Sequence, residues 1–141
     1  GGLLLQILAS LSRSVNRQES TECSEIRAAA AYLCEHFCQP LSLADCAARL
    51  HLSVSRFSHL FTKTIGISPY QYLLRLRLDR ACELLLHTEL DIRHVAQLSG
   101  FDDASYFSRL FRKRFAKTPG AFRTAYSQER SEHPASALPV L

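Results

Sequence analysis

Residues that favour strands and breaks are scarce in this chain. Val and Ile are few, and only five Gly and five Pro occur among 141 residues, several where a helix would stop. Leu, Ala, Arg and Phe are plentiful instead, a composition that favours helix over sheet. Apolar residues make up 47% of the chain, enough for an ordinary buried core and against wholesale disorder. Long apolar runs are also missing. The stretch LLLQILASL is too short for a membrane span and holds Gln and Ser. It lacks the basic start and small-residue cleavage site of a secretory signal. Methionine is absent from the start, so GGLLLQIL reads as the edge of a fragment with something upstream.

A disulfide framework is lacking as well. The five cysteines (Cys23, Cys34, Cys38, Cys46 and Cys82) are odd in number and fit a reduced, cytoplasmic setting as buried thiols. Cys34 and Cys38 lie four apart, with His36 between them, but no second ligand pair follows at zinc-finger spacing. Neither a metal nor another cofactor is expected.

Acid is missing where base is dense. Residues 1–50 carry four basic and five acidic side chains, whereas residues 51–128 carry twelve and six. From Ala104 to Arg123 there are six basic residues and no acid. Such a field attracts a polyanion, nucleic acid before an anionic membrane, although charge alone would equally serve solubility.

Read in order, Leu4, Leu8, Leu11 and Val15 form an a/d-like helical stripe. It suits the last helix of an upstream domain, a dimer contact or a frayed apolar end. SVNRQESTECSE is polar and reads as a linker. A helix follows over EIRAAAAYLCEHF with Ile26, Ala29, Ala30, Leu33 and Phe37 on its apolar face. Ser42 caps a short helix to about Leu50, and Ser53 caps VSRFSHLFTKTI, which stops at Gly66. Ser68-Pro69 opens a helix to about His87, Asp91 caps another short one, and GFDD makes a turn. ASYFSRLFRKRF and the helix opened by Thr118-Pro119 complete seven helices without a convincing strand.

The chain repeats itself. At a shift of fifty, Phe57, Ser58, Leu60, Phe61, Lys63 and Pro69 fall on Phe107, Ser108, Leu110, Phe111, Lys113 and Pro119. Upstream the shift is forty-nine, aligning Leu43 and Ala47 with Ile92 and Ala96, so the second turn is one residue longer. Each copy is a short helix, a tight turn and a second helix, with a small residue where the helices approach: a helix-turn-helix pattern.

On each second helix the core positions are Phe57, Leu60 and Phe61, then Phe107, Leu110 and Phe111. Opposite lie Ser55, Arg56, Ser58, His59, Thr62 and Lys63, matched by Ser105, Tyr106, Ser108, Arg109, Arg112 and Lys113. Short hydroxyls admit a helix to a major groove, Arg bonds guanine bidentately, and later cations reach phosphate. Between the repeats, Pro69 to His87 would span about 28 Å of helix, near the roughly 34 Å separating successive major-groove segments on one face of DNA. Leu73, Leu76, Leu84 and Leu85 would hold this strut to its neighbours. Arg75, Arg77 and Arg80 add charge, some reaching phosphate and some pairing with Asp79 or Glu83. Arg77 is placed in the DNA-contact set.

With these residues in view, the stretch from about 24 to 127 resembles the DNA-binding domain of the AraC/XylS family of bacterial transcription regulators. IRHVAQLSGFDDASYFSRLFRKRFAKTPGAFR carries the likeness most closely: an apolar pair, then Gly-Phe, Tyr-Phe-Ser, Phe, Thr-Pro and Phe-Arg. The resemblance implies an all-α fold of two helix-turn-helix subdomains joined by a long linker helix, reading an asymmetric site on double-stranded DNA. It implies base contacts at Ser55, Arg56, Ser58 and His59 in the first unit and at Ala104, Ser105, Ser108 and Arg109 in the second. Ala104 has no hydrogen-bonding group, so readout by the second unit would rest chiefly on Arg109, with DNA shape contributing. Asp102 and Asp103 are expected to cap the second reading helix. An upstream sensing or dimerising domain, a homodimer formed through it, a contact with RNA polymerase and a place in the bacterial nucleoid follow from the same likeness.

The expected division is residues 1–23 as an upstream helix end and linker, 24–68 as the first unit, 69–88 as the linking helix, 89–128 as the second unit and 129–141 as a flexible tail. Two other classes compete with a transcription regulator. A helical protein-interaction module, or a non-specific nucleic-acid binder, would have no sequence preference. A thiol-dependent alkyl-transfer enzyme needs an activated cysteine, and none of the five lies in a recognisable basic cluster. Scattered Ser, His and Asp form no triad, and His59, His87 and His94 read as a DNA contact and two surface residues. No enzymatic activity is expected.

Overall fold

The computed structural model describes residues 2–132, and among them there are seven helices and no strand: α1 Gly2–His36, α2 Leu43–Arg49, α3 Val54–Ile65, α4 Pro69–His87, α5 Ile92–Leu98, α6 Ala104–Phe115 and α7 Pro119–Glu132. Each start after α1 has a side-chain cap. The Ser42, Ser53 and Asp91 side chains accept from the amides of Asp45, Arg56 and His94. Asp103, rather than Asp102, caps α6 and accepts from both Ser105 and Tyr106. Ser68 and Thr118 oxygens accept from Gln71 and Ala121, 3.2 Å in both cases. Satisfying orphan amides in this way contributes about 1 kcal/mol per helix.

Two expectations are corrected. The polar stretch 14–25 is not a linker but the middle of α1, a single 35-residue helix. Polarity was the wrong signal there, because no Gly or Pro occurs between Gly2 and Pro40 and Arg, Gln and Glu are good helix formers. Thr21 adds a hydroxyl bond back to the Arg17 carbonyl, at 2.9 Å. Residues 129–132, read as the start of a tail, continue α7; the rest of that segment lies outside the described residues. The stripe of Leu4, Leu8, Leu11 and Val15 is exposed along α1.

The chain divides into two compact units. In the first, comprising α1, α2, α3 and the start of α4 to Leu73, the buried residues are Ile26, Ala30, Leu33, Cys46, Ala47, Phe57, Leu60, Phe61, Pro69 and Leu73. Phe61 packs its ring against Phe57 and, edge-on, against Tyr72. The second unit holds Phe37–Pro40 and the described residues from Leu74 on. Its core joins Leu78, Ala81, Leu84 and Leu85 of α4 to Val95, Ala96, Phe101, Phe107 and Phe111. Phe111 is fully buried, with ring centroids of Phe115, Phe122 and Phe107 at 4.6, 5.4 and 5.7 Å. The aromatic stripe is therefore core, as the spacing predicts, and Leu110 packs half-buried beside it.

The repeat holds at the level of single hydrogen bonds. In the first turn the amides of His51 and Leu52 donate to Ala48 and Ala47 carbonyls; in the second, Gly100 and Phe101 donate to Gln97 and Ala96. Both pairs are related by the forty-nine-residue shift. His51 and Gly100 both take positive φ, 57° and 97°. Ala47 and Ala96 are each only 1% exposed, as close helix packing requires. After the turn, one residue more (Asp102) precedes the cap, which restores the shift to fifty.

Candidate DNA interface

Each second helix of a pair, α3 and α6, is anchored by one face and open on the other. In α3, Phe57, Leu60 and Phe61 are buried, while Ser55, Arg56, His59, Thr62 and Lys63 are exposed and Ser58 is half-buried. In α6, Phe107 and Phe111 are buried, while Ser105, Arg109, Arg112 and Lys113 are exposed and Ser108 is half-buried. Thr62 turns its hydroxyl inward along the helix, donating to the Ser58 carbonyl at 2.8 Å. The caps that open both helices fix their first turns, where the small residues sit. These open faces carry no acid, so in each unit the field at the helix is set by the cations.

The cations are not equivalent. Arg109 lies over the Tyr106 ring, 5.9 Å from its centroid, which orients an otherwise free side chain. Arg56 stands 3.8 Å from Glu22 of α1, a loose exposed pair worth little. Arg112 and Lys113 are exposed in the last turns of α6. Arg114 instead bonds Asp79 at 3.0 Å and lies over Phe115. Arg123 donates to the Leu85 carbonyl at 3.2 Å. Of the six basic residues between Ala104 and Arg123, these two stabilise the unit.

Arg77 departs from its expected role most clearly. Its Nε donates to the Phe37 carbonyl at 2.7 Å and its terminal nitrogen to the Gln39 carbonyl at 3.1 Å. The guanidinium clasps the 37–39 segment onto α4, so Arg77 is withdrawn from the DNA-contact set. Gly100 completes the clasp, since a Cβ there would come within 2.8 Å of both the Phe37 oxygen and Arg77 Nε. Tyr106, read as outward, is half-buried and packs edge-on against Phe101. Ala104 also packs half-buried against the core. Arg80 pairs with Glu83 at 3.0 Å. Val54, the first residue of α3, is 53% exposed.

Against the expectation of buried thiols, only Cys46 is buried; Cys82 is half-buried, and Cys23, Cys34 and Cys38 are exposed. Burial pushes the Cys82 thiol up to about 11, with Asp79 adding to the effect. Burial also raises Cys46 and Cys38. Cys34 Sγ lies 3.0 Å from the Tyr72 hydroxyl, and this bond is the main cause of a Tyr72 pKa of about 12. Raised values mean protonated, poorly nucleophilic groups at neutral pH. Among the described residues no group of three or more His, Cys, Asp or Glu is placed to hold a metal ion, and no helix is long and apolar enough to cross a membrane. His94 bonds Asp91 at the surface through its ring and its amide; the amide bond is the first cause of that carboxyl's lowered pKa.

A doubled helix-turn-helix with two anchored, cation-bearing second helices is the architecture of a DNA-binding domain. A helix-turn-helix domain model matches residues 46–125. The C-terminal domain of AraT, a response regulator from Geobacillus stearothermophilus, is 35% identical with a TM-score of 0.68, covering 72% of this chain and 84% of that one. The DNA-binding domain of AdpA, solved with a target DNA, is 27% identical with a TM-score of 0.70, covering 79% and 97%. Among curated proteins, the regulator YijO of Escherichia coli is 36% identical over 103 residues, 73% of this chain and 36% of its own. The activator RhaS of Escherichia fergusonii is 32% identical over 123 residues, 86% of this chain and 44% of its own. The chain belongs to the AraC family and comprises the DNA-binding domain of that family. It spans less than half the length of these curated relatives.

Proposed function

We propose that this domain binds double-stranded DNA sequence-specifically, with α3 and α6 in successive major-groove segments, and that the longer protein regulates transcription. The carrying observation is the duplicated reading element: two capped helices, entered through turns that share two backbone hydrogen bonds, each core-anchored on one face and lined with hydroxyls and exposed cations on the other. The AdpA domain, solved on a target DNA, supports this reading. Ser55, Arg56, Ser58 and His59, with Ser105, Ser108 and Arg109, are the base-facing set; Thr62, Lys63, Arg112 and Lys113 face the backbone. Ala104 contributes by its small size at the start of α6, letting the helix approach. In this proposal Arg109 is the main hydrogen-bonding reader of the second unit. RNA polymerase is the second partner, pairing with another copy runs through the upstream portion, and the protein works in the cytoplasm on the nucleoid.

Selection of bound sequences from random duplex DNA tests the proposal. One enriched asymmetric site is expected, and no enrichment would overturn it. Besides Arg114, which Asp79 holds, five exposed cations lie on α3 and α6 (Arg56, Lys63, Arg109, Arg112 and Lys113). If most of them displace counterions, log K should fall with log salt at a slope of about −4, a few-hundredfold loss between 50 and 200 mM.

A further inference from the structure

We infer that Val54 is a specificity-determining residue, reading the 5-methyl group of a thymine in the half-site occupied by the first unit; this rests on the proposed DNA binding. Val54 opens α3 directly after the Ser53 cap. It is 53% exposed, while Phe57, Leu60 and Phe61 of the same helix are 6% exposed or less. A single exposed aliphatic residue elsewhere on a surface is ordinary. Position makes this one different. The N-terminal residues of a reading helix are those that meet base edges, and Val54 lies one turn before Ser58, on the same side of α3. A side chain with no donor or acceptor can distinguish bases in the major groove only by apolar contact, and the thymine methyl is the apolar group presented there.

Two further features suit the role. Val is β-branched and stiff at χ1, so little rotamer freedom is lost when it docks. The cap holds the backbone beside it, with Arg56 N 3.1 Å from Ser53 Oγ. The second unit has no equivalent, because its counterpart Ala104 is shorter and packs half-buried against the core. The inferred thymine contact therefore belongs to one half of the site, adding to its asymmetry.

The test uses the site selected from random duplex DNA and replaces each thymine of the first unit's half singly by deoxyuridine, which keeps every hydrogen-bonding group and removes only the methyl. One replacement should weaken wild-type binding about fourfold to tenfold, the range of one or two buried methyl-sized contacts. V54A should bind the methylated and unmethylated duplexes equally, with an unchanged salt slope. Circular dichroism and thermal unfolding of V54A should match wild type, since the residue is half exposed. If wild type binds the selected site but no thymine-to-uracil change is sensed, or V54A senses it equally, the Val54 assignment is wrong and the DNA-binding reading stands. A selected half-site without thymine overturns it in the same way. Failure to select any site overturns both.

Discussion

Two glycines with nearly the same positive φ offer a controlled perturbation. Gly66 has φ 100° and Gly100 has φ 97°. Replacing either by Ala forces a Cβ into the left-handed region, a cost of about 1–2 kcal/mol at each. At Gly66 the new Cβ meets nothing within 4 Å. At Gly100 it lands 2.8 Å from both the Phe37 oxygen and Arg77 Nε, the acceptor and donor of a 2.7 Å bond. One of the two must move. A hydrogen bond to a charged group contributes about 1.5–3 kcal/mol, so G100A should lose about 2.5–5 kcal/mol and G66A about 1–2. Urea unfolding followed by circular dichroism measures both, with R77M and the double variant R77M/G100A closing a cycle. The steric cost of G100A should shrink once the guanidinium is gone, making the two changes non-additive. Equal losses at the two glycines, or a G100A cost that R77M leaves unchanged, would refute the clasp.

Other outcomes follow from the same geometry. R109A should cost about 1–3 kcal/mol at the selected site and relax preference at one base pair; a uniform loss across unrelated duplexes in competition assays would assign it to phosphate alone. F111A should lose about 3–5 kcal/mol of stability by removing a fully buried ring that touches three others, and an unchanged thermal midpoint would contradict that placement. Ala116 ends α6 at φ 61° where α3 ends on Gly66. A116G should therefore stabilise the domain by about 0.5–1 kcal/mol, after the extra freedom of glycine in the unfolded chain offsets part of the relief; destabilisation in thermal melts would count against it.

Much of the fold was legible because its signals are local. Ser53, Asp91, Ser68-Pro69 and Thr118-Pro119 mark helix starts by chemistry that acts within one turn, and the structure puts all four where the residues say. The core face of α6 was readable from aromatic spacing. Residues 14–25 misled because polar composition says where a segment meets water, not whether its backbone is helical. The destinations of cations were less legible still. Arg77, Arg114 and Arg123 are chemically like Arg109 in sequence, but their partners (Phe37 and Gln39, Asp79, Leu85) lie at least 35 residues away. Only packing decides which basic residues remain available to a ligand. The same holds for Tyr106, drawn down onto Phe101, and for Val54, left outside.

Hydroxyl-radical footprinting on the selected duplex tests the doubled reading element most directly. Two protected stretches on one face are expected, centred about 10 base pairs apart. Pairing Arg56→Ala with His59→Ala should erase one of them, and pairing Arg109→Ala with Arg112→Ala the other. A single protected stretch, or two that vanish together whichever helix is altered, would contradict independent reading by α3 and α6.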